Sequence, residues 1–363
     1  MKSKPFFRLS AFLLCLFLVA MPNGVGAYHY SMYPPFIREI AHDQNNLYLA
    51  TTKGLVVMDK NDFSQTLHTP GYVYSVALHD GVLWFGQENG WMTAISEGNT
   101  YSFQIDVWPK GYMPDNLQKI AFSNTGKMFL AKMDFLFVVE DEKVVDYYQI
   151  PFAVAEEMIS DMEFDSTGAL WISSQGGVHD SALCCYTDDY GLWFVLKSFP
   201  CSEFSGGTNS LAVDKDDNVW FEAQGRLMKF DGRTFTTVCG GNAAVLDFDD
   251  NGVLWGLASK GYLRAYEGDS WTDYYFTLGE KEEAHCMDID GDTIYVGTNK
   301  RLLVFHDGQF ASVEIAPEAT GIQDVDTDKK SENGKQTFNL AGQQTSRSHK
   351  GLKITKGTRH IEK

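Results

Sequence analysis

Leu246-Asp-Phe-Asp-Asp-Asn-Gly-Val-Leu-Trp255 decides the fold, because the same phrase returns at Met162-Glu-Phe-Asp-Ser-Thr-Gly-Ala-Leu-Trp171 and, more loosely, five further times. Leu211 to Trp220 and Ile120 to Phe129 have the same length, whereas Val76 to Trp84, Met287 to Tyr295 and Ile40 to Tyr48 are one residue shorter in the turn. Apolar residues alternate on either side of a turn rich in Asp, Asn and Gly, the pattern of a half-buried β-hairpin. The aromatics that open the second strand are Tyr48, Trp84, Phe129, Trp171, Trp220, Trp255 and Tyr295, spaced by 36, 45, 42, 49, 35 and 40 residues. A period near 40 with several short strands per unit predicts an all-β, seven-bladed β-propeller, one four-stranded blade per repeat. The seven rings are expected to be buried blade anchors that fill the wedge between neighbouring blades.

Working outward, residues 1–27 read as a signal peptide: Lys2, Lys4 and Arg8 precede an apolar run from Leu9 to Ala20, and Val25-Gly26-Ala27 supplies small residues for cleavage. The expected destination is extracellular or the cell surface, with the periplasm as alternative, and no segment is expected to span a membrane. The propeller is assigned to 28–317, a flexible linker to 318–336 and a C-terminal tail with strand-like pieces to 337–363. From Tyr28 to Pro317 there are 42 Asp and Glu against 18 Lys and Arg, a net charge of −24, so nucleic acid is an unsuitable partner. The tail reverses the sign, with 9 basic and 6 acidic residues. Five cysteines follow residue 27, and a bridge from Cys184 or Cys185 to Cys201 is sterically conceivable beside the alternative of buried thiols.

Leu47-Tyr-Leu-Ala-Thr-Thr-Lys-Gly-Leu55, Leu83-Trp-Phe-Gly-Gln-Glu-Asn-Gly-Trp91 and Ile294-Tyr-Val-Gly-Thr-Asn-Lys-Arg-Leu302 resemble the two-component-regulator propeller repeat. That repeat is found in extracellular halves of bacterial hybrid sensors and in stand-alone secreted propellers. The chain has no kinase or DNA-binding part, so the resemblance implies the fold and not the sensor role. Thr337-Phe-Asn-Leu-Ala-Gly-Gln343 and Lys350-Gly-Leu-Lys-Ile-Thr-Lys-Gly-Thr358 resemble the end of the type IX secretion C-terminal sorting domain. This implies the secretion machinery as a partner of the tail.

In a propeller, the loops leading into each first strand and those joining second to third strands gather around one channel mouth. The leading loops carry Arg38, Tyr72, Tyr74, Trp108, Lys110, Tyr112 and His285, and the joining loops carry Lys53, Glu88, His179, Lys260 and Lys300. Tyr72, Tyr74, Trp108, Tyr112, Lys110, His179 and His285 are the candidate ligand-binding residues. Tyr72, Tyr74, Trp108 and Tyr112 are expected to make one aromatic wall at blades two and three, suited to a glycan or a peptide. Asp247-x-Asp249-x-Asn251-Gly252 mimics the start of a calcium loop, but Ala258 stands where its closing Glu belongs. No cofactor, metal or catalytic residue is assigned. The expected function is ligand binding or scaffolding of other exported proteins, without catalysis. The alternative is a lyase- or lactonase-type propeller enzyme, with His179 or His285, carboxylates such as Glu88, Glu156 or Glu157, and a divalent metal.

Overall fold

The computed structural model describes residues 36–105, 117–133, 135–149, 158–175, 182–187, 192–194, 210–223, 225–241 and 243–315, together with short strands from 318 onward. Seven four-stranded antiparallel meanders are present: Ile37–Pro70, Val73–Gln104, Lys119–Gln149, Met158–Phe194, Leu211–Gly240, Val245–Tyr275 and Ala284–Glu314. These are blades one to seven, and the seven-bladed expectation holds. The chain divides into two compact units after Thr320. In the second unit, Thr337–Phe338, Gln344–Thr345, Leu352–Thr355 and Thr358–Ile361 form a small sheet of their own.

The repeated phrase has one register in all seven blades. Each anchor lies directly opposite one position of the inner strand: Ala41–Tyr48, Ala77–Trp84, Ala121–Phe129, Glu163–Trp171, Ala212–Trp220, Asp247–Trp255 and Asp288–Tyr295. Cross-strand neighbours share a face, so a small residue there leaves room for the ring. Each anchor faces the following blade. Trp171 meets Phe230 of blade five edge to face at 5.8 Å, Phe129 meets Phe164 of blade four at 5.5 Å, and Trp255 meets Phe305 of blade seven at 5.6 Å. Phe129, Trp171 and Tyr295 are buried, whereas Tyr48, Trp84, Trp220 and Trp255 are only half-buried. The expectation of buried rings is met by three anchors and corrected for the other four, and several anchors reach back with a polar edge to their own hairpin turn. Nε1 of Trp171, Trp220 and Trp255 donates to Asp165, Asp214 and Asp249 at 2.8, 2.8 and 3.1 Å, and the Tyr48 hydroxyl donates to Asp43 at 2.5 Å. The other oxygen of each Asp accepts backbone N–H groups of its own turn, as Asp249 does from Asn251 and Val253. The Asp that resembled a calcium ligand is thus the acceptor of the anchor's brace.

The four strands of blade one and the four of blade seven each come from contiguous chain, so none of those strands is shared across the closure. Their joint core contains Ile37, Ile40, Leu47, Leu49, Tyr295, Leu302 and Val304. Gly297 shows how closely they approach: a Cβ there would lie 2.4 Å from Cys286 Sγ and 2.7 Å from Ile37. Gly86, at the same place in blade two, meets Ser75 and Leu117 in the same way. Lys60 and His42 of blade one pair with Asp290 and Asp288 of blade seven at 2.5 and 2.6 Å. One short pairing falls within the segment assigned to the linker. Glu318–Ala319 pairs parallel with Thr66–Leu67, adding a fifth strand to the outer edge of blade one. Residues 1–27, read from the sequence as a signal peptide, lie outside the described residues.

Candidate functional site

The inner strands of blades one, two, four and seven each carry a bulge, with one extra residue between Ile37 and Glu39, Val73 and Ser75, Ile159 and Asp161, and Ala284 and Cys286. A bulge re-aims the side chain of its extra residue. Those residues are Arg38, Tyr74, Ser160 and His285, and all four line a central cavity of about 620 Å³ at the leading-loop end of the ring. Phe36 joins them, its ring 4.3 Å from His285. Tyr72 and Tyr74 are stacked at 4.2 Å and 16°. The Arg38 guanidinium lies 5.4 Å from the Tyr74 ring, 5.8 Å from Tyr72 and 5.7 Å from Phe36, and its Nη1 donates to the Tyr72 hydroxyl at 3.2 Å. Its Nε is buried and has no hydrogen-bond partner among the described residues. Burial first, and then the Arg38 charge, hold His285 below the ordinary histidine range against the opposing pull of Glu283.

Three of the expected site residues, Tyr72, Tyr74 and His285, are therefore together. Tyr72 and Tyr74 turn toward Arg38 of blade one, so the described wall runs over blades seven, one and two. Trp108, Lys110, Tyr112 and His179 lie outside the described residues, as do Glu156 and Glu157. Glu88 is exposed in a short 3-10 turn, and the Lys300 ammonium donates to the Glu280 carbonyl. Cys201 also lies outside the described residues, while Cys184 and Cys185 are buried in two different cores.

Below the mouth the cavity is charged, which the loop inventory missed. Glu39, Asp161, Glu163, Asp247 and Asp288 line it with Lys119. Several of these carboxylates satisfy the free edge of the next inner strand. Glu39 accepts from Val76 N at 2.9 Å, Asp161 from Ser210 Oγ at 2.6 Å, and Glu163 from Val213 N at 3.0 Å. Lys119 sits 2.9 Å from Glu39 and 3.5 Å from Asp161; burial opposes its charge, but these two carboxylates raise its pKa above the lysine range. Burial pushes Asp247 up to about 7, with Asp288 and Asp161 adding to it, and raises Glu163 well above the usual carboxylate range with help from Asp247 and Asp161. Burial likewise raises Asp288, although its bond to His42 opposes the shift. The sequence did hold a signal: the position opposite the anchor is Ala in four blades and acidic in blades four, six and seven. Among the described residues no group of three His, Cys, Asp or Glu side chains is arranged to hold a metal ion.

No family model matches the chain, and no curated protein does. Among solved structures, a catalytically inactive virginiamycin B lyase from Staphylococcus aureus with quinupristin is similar at 16% identity, over 74% of this chain and 94% of the other, with a TM-score of 0.60. The WD40 β-propeller domain of Doa1 is similar at 16% identity over 77% of this chain and 93% of the other, with a TM-score of 0.59. The extracellular domain of the one component system BT4673 from B. thetaiotaomicron is similar at 15% identity and a TM-score of 0.57, over 75% of this chain but only 38% of the other. At these identities the likeness shows the fold, a seven-bladed β-propeller, and its bearers differ widely in function. Among the described residues no helix is long and apolar enough to cross a membrane.

Proposed function

We propose that this chain is an exported, non-catalytic β-propeller that binds a glycan or a peptide at the channel mouth. The observation that carries the reading is the convergence of three bulges, which place Arg38, Tyr74 and His285 over a cavity of about 620 Å³. Bulges concentrate where a side chain must be aimed, and an Arg laid against two stacked tyrosines gives a rigid surface for stacking and hydrogen bonding. Export is supported by the leader-like first 27 residues, and the basic tail supports delivery by a secretion machinery. Scaffolding of other exported proteins uses the same face. The enzymatic alternative asks for a carboxylate bonded to His285; Glu283 acts on that ring only as a nearby charge, while the Phe36 ring packs against it and the Arg38 charge opposes its protonation.

The test is a glycan and peptide array probed with the secreted protein, followed by calorimetry on any hit. Tyr74→Ala and Arg38→Ala should each weaken binding by ~1–3 kcal/mol while the ring stays folded. A hit whose affinity survives both substitutions places the ligand elsewhere and overturns the reading.

A further inference from the structure

Two carboxylates deep in the channel make no ion pair among the described residues. Lys119 is engaged by Glu39 and Asp161, and His42 by Asp288. Glu163 and Asp247 line the same cavity yet bond only to backbone N–H groups, of Val213 at 3.0 Å and Phe248 at 2.8 Å, and pair with no cation among the described residues. Unpaired carboxylates in a confined site favour a guest that brings positive charge. The mouth has the opposite sign, for Arg38 presents a buried Nε with no partner among the described residues. The cavity is thus polarised along its axis, cationic and aromatic above, anionic below. Its volume, about 620 Å³, falls in the range of small-ligand sites, ~300–1,000 Å³.

Resting on the binding reading above, we propose that the ligand is a short peptide with a free amino terminus, its ammonium paired with Glu163 and Asp247 and a carboxylate held by Arg38. A neutral glycan stacks on Tyr72 and Tyr74 equally well but leaves the two deep carboxylates unanswered. Asp247 faces Asp161 and Glu163 from blade four, Asp288 from blade seven and Lys119 from blade three. Binding of an amine therefore strengthens as pH rises and Asp247, pushed up to about 7, loses its proton.

The experiment uses the mature protein and a library of tyrosine-containing tripeptides, unblocked and N-acetylated, with retention read by native mass spectrometry at pH 6 and pH 8. The unblocked library should be retained, more at pH 8, and the acetylated one at least ~10-fold less, the scale of a charge-assisted hydrogen bond. Asp247→Asn and Glu163→Gln keep an oxygen for the backbone donors, so the strand seam persists, and each should reduce retention of the unblocked form to the acetylated level. Equal retention of both libraries, or retention unchanged in the doubly substituted protein, overturns the inference. If Tyr74→Ala still abolishes that equal retention, the channel-mouth reading survives and only the amine assignment falls. Retention of a neutral oligosaccharide or of calcium in place of any peptide also overturns it, and retention of no peptide overturns it while leaving the channel-mouth reading to the glycan array.

Discussion

Replacing Asp247 by Asn should stabilise the ring at alkaline pH and leave it unchanged in acid. Its carboxyl is moved from an ordinary value near 4 to about 7, because burial and the nearby Asp288 and Asp161 disfavour the charged form. Between those two values the folded state holds a proton that the unfolded chain has released, so stability falls as pH rises. At ~1.4 kcal/mol per pH unit the full displacement amounts to about 4 kcal/mol, an upper bound. The group opens on a channel that water can reach, and screening there reduces the effect to ~1–2 kcal/mol. For a ring of this size that corresponds to a gain of roughly 3–6 °C in melting temperature. Scanning calorimetry of both proteins at pH 4 and pH 8 reads the difference directly. A gain of equal size at both pH values, or a loss at pH 8, refutes the account of a strained, uncompensated carboxylate.

Other outcomes are as specific. Trp171→Ala should cost ~3–5 kcal/mol by opening a cavity against Phe230 and stranding Asp165, and an unchanged denaturation midpoint would contradict the packing described. His42 is raised above its ordinary value chiefly by its bond to Asp288, so its contribution is complete below about pH 6.5 and is lost as pH climbs through the raised value. Accordingly, His42→Ala should lower the melting temperature more at pH 5.5 than at pH 8.5, and an equal loss at both would show that the pair is not ionic. Truncation after Thr320 should leave thermal unfolding of the ring unchanged while altering where the protein accumulates. Truncation after Ile315 removes the Glu318–Ala319 pairing and should cost ~1 kcal/mol more, which the same melting curves would show.

The architecture was legible because its determinants are local and repeated. The alternation around Trp171 and Trp255, the turn residues and the 35- to 49-residue spacing each state a strand, a hairpin and a blade within a few residues of chain. The site was legible only in part. Tyr72, Tyr74 and His285 could be nominated from their loops, but which neighbours they meet depends on bulges in three separate strands, and a bulge adds one residue with no compositional mark. Phe36 and Lys119 went unremarked because an aromatic before a strand and a lysine within one look ordinary until the ring closes around them. The acidic layer was visible in the aligned hairpins as Glu163, Asp247 and Asp288, yet its meaning rests on which side of the inner strand faces the channel.

Because no strand is shared between blades one and seven, the covalent gap in the ring falls at an interface made only of side chains and the short Glu318–Ala319 pairing. Among the described residues, backbone bonds cross two other seams, Ile159 N to Met133 O between blades three and four and Ala284 N to Ser259 O between blades six and seven, whereas at the closure this two-residue strand supplies them. The order of blades around the channel is therefore separable from the point at which synthesis starts. A gene rearranged to begin at blade three and to join residue 315 to residue 36 through a short linker should encode the same ring. Such a rearrangement would keep the Arg38–Tyr74–His285 cluster intact while moving the C-terminal residues to a different blade.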